Sequence, residues 1–187
     1  MLQIFETAWF RRHARSLILG ALTATTLAVF FLILGGQKVP PASMVAINQD
    51  AEHTCLAQAI YFEARGEPFE GQLAVAQVVM NRVSDGRYPD TICGVVFQNE
   101  NHRHRCQFSF ACDGKSDRAR NHVAWLQAQK VAAMVLTLDL RDVTGHATHY
   151  HAVYVTPKWS RELPRTKTIG HHLFYMSRPA PVQERRS

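Results

Sequence analysis

Glu63 is the residue of this 187-residue chain whose type and spacing best suit acid–base chemistry. It lies within the run Leu56-Ala57-Gln58-Ala59-Ile60-Tyr61-Phe62-Glu63-Ala64-Arg65-Gly66-Glu67-Pro68, in which steps of three and four from Leu56 pass through Ala59, Ile60 and Glu63. On a helix those positions share one face, so the spacing predicts a carboxylate on an apolar stripe. Gly66 suits a left-handed residue just past a helix end, and Pro68 cannot continue the same helix, which puts Glu63 in the last turn. Partial burial and the negative end of the helix dipole both disfavour the carboxylate and raise its pKa towards that of a working general acid. Arg65 would oppose that shift, and a structural Glu63–Arg65 ion pair is the competing reading.

Other chemistries find less support. The chain contains no Gly-x-Ser-x-Gly elbow, phosphate-binding loop or zinc-protease helix. Nucleophilic cysteine catalysis needs a free thiol beside a histidine, whereas an exported cysteine is normally bridged. His102, His104 and Cys106 alternate and could share a strand face, but no paired Cys-x-x-Cys or His-x-x-x-His completes a zinc site. The expectation is therefore no metal and no cofactor. Cleavage of a glycosidic bond fits better, because it needs a leaving oxygen to be protonated, and a carboxylic acid kept neutral in an apolar setting supplies that proton. A second carboxylate would normally assist, with Glu67, Glu70 and Asp113 as the available residues.

The elements that must hold Glu63 can be read in order. Asn48 or Asp50 is expected to cap its helix, with Glu52 in the first turn. A second helix starts at Pro68 and is apolar nearly all round from Leu73 to Val83, hence central. On it Gln77 and Asn81 are one turn apart and either face the site or, as expected here, pair with each other. Residues 91–98 read as a small helix capped by Asp90 or as a buried strand, with the helix preferred; 99–105 read as a polar surface excursion and 106–110 as a strand-like return. Ser116 or Asp117 caps a long helix to about Leu138, whose core stripe is Val123, Leu126, Val131, Met134, Val135 and Leu138. Beyond Gly145 the period becomes alternating, and residues 148–154, 166–169 and 171–176 read as strands with a turn at Gly170. The fold class is α+β: a helical domain with a small C-terminal antiparallel sheet.

The first forty residues belong to something else. Residues 16–34 carry no charge over about 19 positions, enough to span a bilayer as a helix. Arg11, Arg12 and Arg15 precede this run and only Lys38 follows closely, which orients residues 1–15 to the cytoplasm and exports the rest. A cleaved signal peptide is the alternative, and the length of the run favours an uncleaved anchor. The expected organisation is thus an N-terminal transmembrane anchor at 16–34, a linker at 35–47, a catalytic domain at 48–177 on the extracytoplasmic side, and a disordered, Pro-rich charged tail at 178–187. Cys55, Cys93, Cys106 and Cys112 all lie on the exported side, so two disulfides are expected, with three pairings open. The net charge of +6 suits an anionic polymer or membrane surface. Nucleic acid is a poor partner for it, since the basic residues are scattered and no recognition motif is present. Oligomeric state is not legible.

The residues also carry a resemblance. Ala59-Ile60-Tyr61-Phe62-Glu63-Ala64-Arg65-Gly66-Glu67, followed by Gly71-Gln72-Leu73-Ala74-Val75-Ala76-Gln77-Val78-Val79-Met80-Asn81-Arg82-Val83, resembles the signature of the SleB-type cell wall hydrolases, the spore-cortex-lytic enzyme family. Agreement continues through Val96-Phe97-Gln98, Gln107-Phe108-Ser109, Lys158-Trp159 and Ile169-Gly170-His171-His172-Leu173-Phe174. The resemblance implies a lysozyme-like fold related to lytic transglycosylases, and cleavage of peptidoglycan between N-acetylmuramic acid and N-acetylglucosamine. Glu63 matches the catalytic acid. In the transglycosylase form the muramic sugar's own hydroxyl closes an anhydro ring, so no second catalytic carboxylate is needed. The chain departs from the family in three features: it lacks a separate peptidoglycan-binding repeat, has the His- and Arg-rich stretch at 99–105, and places cysteines around Gln107-Phe108-Ser109. For the substrate groove the candidates are Glu67, Gln107, Phe108, Ser109, Tyr150, His151 and Trp159, combining platforms for sugar rings with polar contacts. A non-catalytic peptidoglycan-binding or scaffold module on the same fold is the alternative.

Overall fold

The computed structural model describes residues 42–102 and 106–177. The chain divides into two units between residues 45 and 46, and the second carries the site. The expected membrane span at 16–34 and tail at 178–187 lie outside the described residues. Among the described residues no helix is long and apolar enough to cross a membrane.

Helix α1 runs over Ala42–Ala64. It passes straight through Asn48 and Asp50, the expected caps, and so takes in the end of the expected linker. The cause is local: Ala42-Ser43-Met44-Val45-Ala46 contains no helix breaker that would end the helix ahead of Asn48. Leu56, Ala59 and Ile60 are fully buried, as the stripe requires. Gly66 does not adopt the left-handed conformation; instead the Glu67 N–H closes the turn on the Ala64 carbonyl at 2.9 Å.

Helix α2, Phe69–Val83, is the centre of the domain, with Pro68 at its N-cap rather than inside it. Every residue from Gly71 to Val79 is buried. Ala76 and Val79 pack with α1 and the other helices, whereas Ala74 and Val78 pack with Ala147, Ile169 and Phe174 of the sheet region. Each fully buried aliphatic side chain stabilises the fold by roughly 1.5–3 kcal/mol. Gln77 and Asn81 do not pair with each other. The Gln77 side chain donates to the Arg141 carbonyl (2.9 Å) and accepts from the Val143 N–H (2.8 Å), and Asn81 donates to Asp142 Oδ2 (2.8 Å) and the Ala147 carbonyl (3.0 Å). The irregular 141–147 segment lies against α2 and takes its missing backbone partners from these two amides.

Helix α3, Ile92–Val96, is capped by Thr91, whose hydroxyl accepts from the Gly94 N–H, and not by Asp90. The expected strand at 106–110 is absent: Ser109–Cys112 is a 3-10 turn. Phe108 and Phe110 are nevertheless both buried, so the alternation recorded burial, not pairing. Helix α4, His122–Thr137, is capped by the Asn121 side chain and starts later than Ser116 or Asp117 would place it. Its core face is Ala128, Val131 and Ala132, while Val123, Leu126 and Leu138 of the expected stripe are 78%, 43% and 51% exposed. Alanines let α4 lie close to its neighbours, a packing mode that counting large apolar residues misses.

Three antiparallel strands follow, β1 His149–Ala152, β2 Arg165–Ile169 and β3 His172–Tyr175, in the order β1-β3-β2. Tyr150 lies opposite Phe174 and His151 opposite Leu173, which fixes which side chains share a face. Gly170, at φ 55°, makes the β2–β3 turn. Two disulfides, Cys55–Cys93 and Cys106–Cys112, settle the pairing; the first ties α1 to α3.

Candidate active site

Glu63 stands half-buried in the last turn of α1, where the spacing puts it. Its one hydrogen bond among the described residues comes from β1: the Tyr150 hydroxyl donates to Glu63 Oε2 at 3.3 Å. Tyr150 is aimed there by the strand's alternation, which turns it to the same face as His172 and Phe174, with ring separations of 5.1 and 5.8 Å. Burial and the neighbouring Glu63 charge push the Tyr150 phenol well above its ordinary range, so it stays protonated as a donor.

Arg82, near the end of α2, supplies the positive charge of the site. It is 2% exposed, and its Nε donates to the Thr148 carbonyl at 2.7 Å. In the amide orientation that satisfies both side chains, Gln107 accepts from both terminal nitrogens of Arg82, at 3.1 and 3.0 Å. The guanidinium also lies over the rings of Tyr88 (5.6 Å) and Phe108 (5.5 Å). A buried guanidinium carries five donors, and here carbonyl oxygens and ring faces occupy it without a carboxylate contact among the described residues. Its charge still reaches Glu63. Burial raises the Glu63 pKa, the Tyr150 hydrogen bond and the Arg82 charge lower it, and burial prevails. Arg65 is not the partner: it lies over the Tyr61 ring at 5.2 Å.

The remaining expected residues divide. Gln107 lies beside the site through Arg82, and Ser109 is exposed at the start of the 3-10 turn. Phe108, 2% exposed, is core packing under Arg82 and offers no platform. Glu67 is turned inward, with its carboxylate accepting from the His171 N–H (2.9 Å) and lying 3.1 Å from His171 Nδ1. Its backbone carbonyl takes the Gln72 amide, so Glu67 ties the β2–β3 turn to the α1–α2 corner. His151 and Trp159 lie on the face of the sheet opposite Tyr150: His151 stacks on Tyr175 and contacts its hydroxyl at 3.0 Å, and Trp159 packs edge-on to Tyr175 and against His149. The strand period separates them from Glu63. Cys106, a member of the weighed zinc cluster, is bound in a disulfide. Among the described residues no group of three metal-binding side chains assembles.

The sequence shows Arg82 only as part of a motif and Tyr150 only among the groove candidates. Arg82 had a legible signal, being the cation that follows a long buried helix face, whereas its distance from Glu63 in sequence hid the coupling.

Residues 66–175, more than half of the chain, match the family described as Cell Wall Hydrolase. The chain belongs to that family. Glu63 lies just ahead of the matched span. The chain is 35% identical to the spore cortex-lytic enzyme of Oceanobacillus iheyensis over 122 residues, 64% of this chain and 39% of the relative. It is 33% identical to that of Bacillus subtilis, over 64% of this chain and 35% of the relative. The chain thus spans about two-fifths of the length of the curated relatives it matches. Among solved structures it resembles the catalytic domain of the germination-specific lytic transglycosylase SleB from Bacillus anthracis, at 34% identity and a TM-score of 0.54, covering 66% of this chain and 93% of that one. The catalytic domain of the Bacillus cereus SleB protein gives 32% identity and a TM-score of 0.53, covering 75% and 98%. The helical domain with its small three-stranded sheet is therefore shared with these catalytic domains.

Proposed function

We propose that this cell wall hydrolase cleaves the glycosidic bond between N-acetylmuramic acid and N-acetylglucosamine in peptidoglycan, as a lytic transglycosylase of lysozyme-like fold, with Glu63 as acid and then base. The carrying observation is the Glu63 carboxyl itself, raised in pKa by burial and held by one phenolic donor beside a buried cation. Glu63 donates its proton to the bridging oxygen as the bond from that oxygen to the muramic C1 breaks. The muramic sugar's own hydroxyl then bonds to C1 and returns its proton to Glu63. The second carboxylates that hydrolysis would recruit are engaged or remote in role: Glu67 binds His171, and Asp113 pairs with Lys115 at 3.7 Å. Glu70 is exposed in the first turn of α2.

The same reading places the domain outside the cytoplasm. Both disulfides belong to an oxidising compartment, and the uncharged run at 16–34 fits an anchor that leaves the domain facing the wall. Digestion of purified peptidoglycan by the parent and by Glu63→Gln tests the chemistry. Loss of a general acid lowers the rate by about 10²–10⁴-fold, and mass spectrometry of the parent's products should show anhydro-muramyl ends. Equal digestion by Glu63→Gln sinks the assignment of the acid, and reducing ends replace transglycosylation by hydrolysis.

A further inference from the structure

We propose that the cavity between the end of α1 and helix α4 holds the peptide stem of the glycan substrate, through its carboxylates and alanine methyl groups; this rests on the peptidoglycan reading above. The cavity measures about 430 Å³ and is lined by Arg65, Gln72, Val123, Leu126, Gln127 and Lys130 among others. Its walls contain two cations and no carboxylate. Neither Arg65 nor Lys130 has a carboxylate partner among the described residues. Val123 and Leu126, which an ordinary amphipathic helix would bury, stay 78% and 43% exposed at its rim.

Positive charge, side-chain amides and uncovered small apolar surface together match an acidic peptide with methyl side chains. A peptidoglycan stem has that chemistry, since alanines flank adjacent residues that bear free carboxylates. The adjoining cavity that shares Arg65 suits it less, because Asp113 and Asp117 stand among its four basic residues and Asp113 already pairs with Lys115.

Placement fits as well. Arg65 follows Glu63 by two residues at the end of α1, and Gln72 lies at the start of α2, bonded to the Glu67 carbonyl. A stem hangs from the muramic sugar, whose bond Glu63 attacks. A stem of four extended residues reaches roughly 13 Å from the sugar that carries it. The cavity thereby reads whether a strand is peptide-substituted, while Glu63 acts on the sugar.

The test compares glycan strands bearing their peptides with strands stripped of them by an amidase, using the full chain and the surface variants Lys130→Glu and Leu126→Gln. The parent should show a lower KM on peptide-bearing strands. Replacing an exposed attraction by repulsion in Lys130→Glu should cut that preference by roughly three- to tenfold, with kcat on both substrates moving together. A parent with no preference, or a preference that survives both variants, overturns the proposal. Should the parent cleave neither strand, the glycosidic reading falls by itself, and titration with a synthetic stem tetrapeptide followed by NMR decides the present one. Shifts centred on Lys130 and Leu126 that vanish in Lys130→Glu uphold it, and their absence overturns it.

Discussion

Tyr150→Phe isolates the contact on which the acid depends. The substitution removes one hydroxyl and keeps the ring, so packing against Phe174 at 5.8 Å and His172 at 5.1 Å survives and the thermal stability should change little. What disappears is the hydrogen bond to Glu63 Oε2. Hydrogen bonds to charged groups contribute about 1.5–3 kcal/mol. At 3.3 Å this one is longer than the usual O–H···O range, so the lower end applies. About 1.5 kcal/mol corresponds to a roughly tenfold weaker acid once the donor is gone.

The sign follows from which form the hydroxyl favours. It donates to the ionised carboxylate, so its loss moves the Glu63 pKa further in the direction burial already pushes it. A general acid must hold its proton, and kcat/KM therefore falls as pH rises through its pKa. In Tyr150→Phe that falling limb should lie at higher pH than in the parent. Initial rates of muropeptide release, measured from acid to mildly alkaline pH, give both profiles. A limb that stays put, or moves down, refutes the argument. A uniform drop across pH with no movement of the limb would place the hydroxyl on the substrate instead of on Glu63.

Glu67 and Gly170 should couple. A Cβ on Gly170 would lie 1.8 Å from Glu67 Oε2, at a φ of 55° that disfavours other residues. Glu67→Ala should cost about 0.5–1.5 kcal/mol by removing the acceptor of the exposed His171 N–H, and Gly170→Ala should cost less in that background than in the parent; additive losses in denaturant melts would show that no clash exists. Replacing Cys55 and Cys93 by Ser frees a loop with a sequence separation of 38, worth about 4 kcal/mol in the chain-entropy account, against about 2 kcal/mol for Cys106 and Cys112 at a separation of 6. Calorimetric Tm losses of equal size would contradict that ordering. His149 is lowered to about 4 by burial, with Arg82 and Arg87 adding to the effect. A depressed folded pKa means that its stability contribution is full above the ordinary histidine value of 6.5 and is lost as pH falls towards 4. For a half-buried ring, discounted for solvent screening, this amounts to on the order of 1 kcal/mol. His149→Gln should flatten the acid side of the stability curve, and an unchanged slope would assign it to other groups.

The stripe ending at Glu63, the central α2 and the three strands were legible because each is a period written in neighbouring residues. What escaped depends on partners far apart in the chain. Gln77 and Asn81 sit at a spacing that suggests a pair, yet both are claimed by the 141–147 segment, more than sixty positions away. Phe108 and Phe110 alternate like a strand, but the short Cys106–Cys112 loop turns the backbone too tightly for one. His151 and Trp159 looked like groove residues by type, and only the register of β1 against β3 shows that they share the face of Tyr175. Arg82 was hidden for the same reason: its partners Thr148 and Gln107 come from separate elements.

The charges around Glu63 explain how one carboxyl can serve both halves of the proposed reaction. An acid buried among apolar groups alone would hold its proton but give it up reluctantly, because the carboxylate left behind would have no partner. Here two groups are already in place for that carboxylate. Tyr150 donates to the oxygen on which the charge develops, and its own raised pKa keeps it from ionising in turn. Arg82 is fixed by the Thr148 carbonyl, Gln107 and two ring faces, so its field costs no reorganisation when the charge appears. Direct contact between Arg82 and Glu63 would have pinned the carboxyl in its ionised form and removed the acid. Influence at a distance leaves burial in control of the resting state and offsets part of its cost in the transition state. The returning proton from the sugar hydroxyl then finds a carboxylate that burial still disfavours, which makes it a ready base. A nearby second carboxylate would add repulsion to the charge formed in the first step, and the muramic hydroxyl makes it unnecessary.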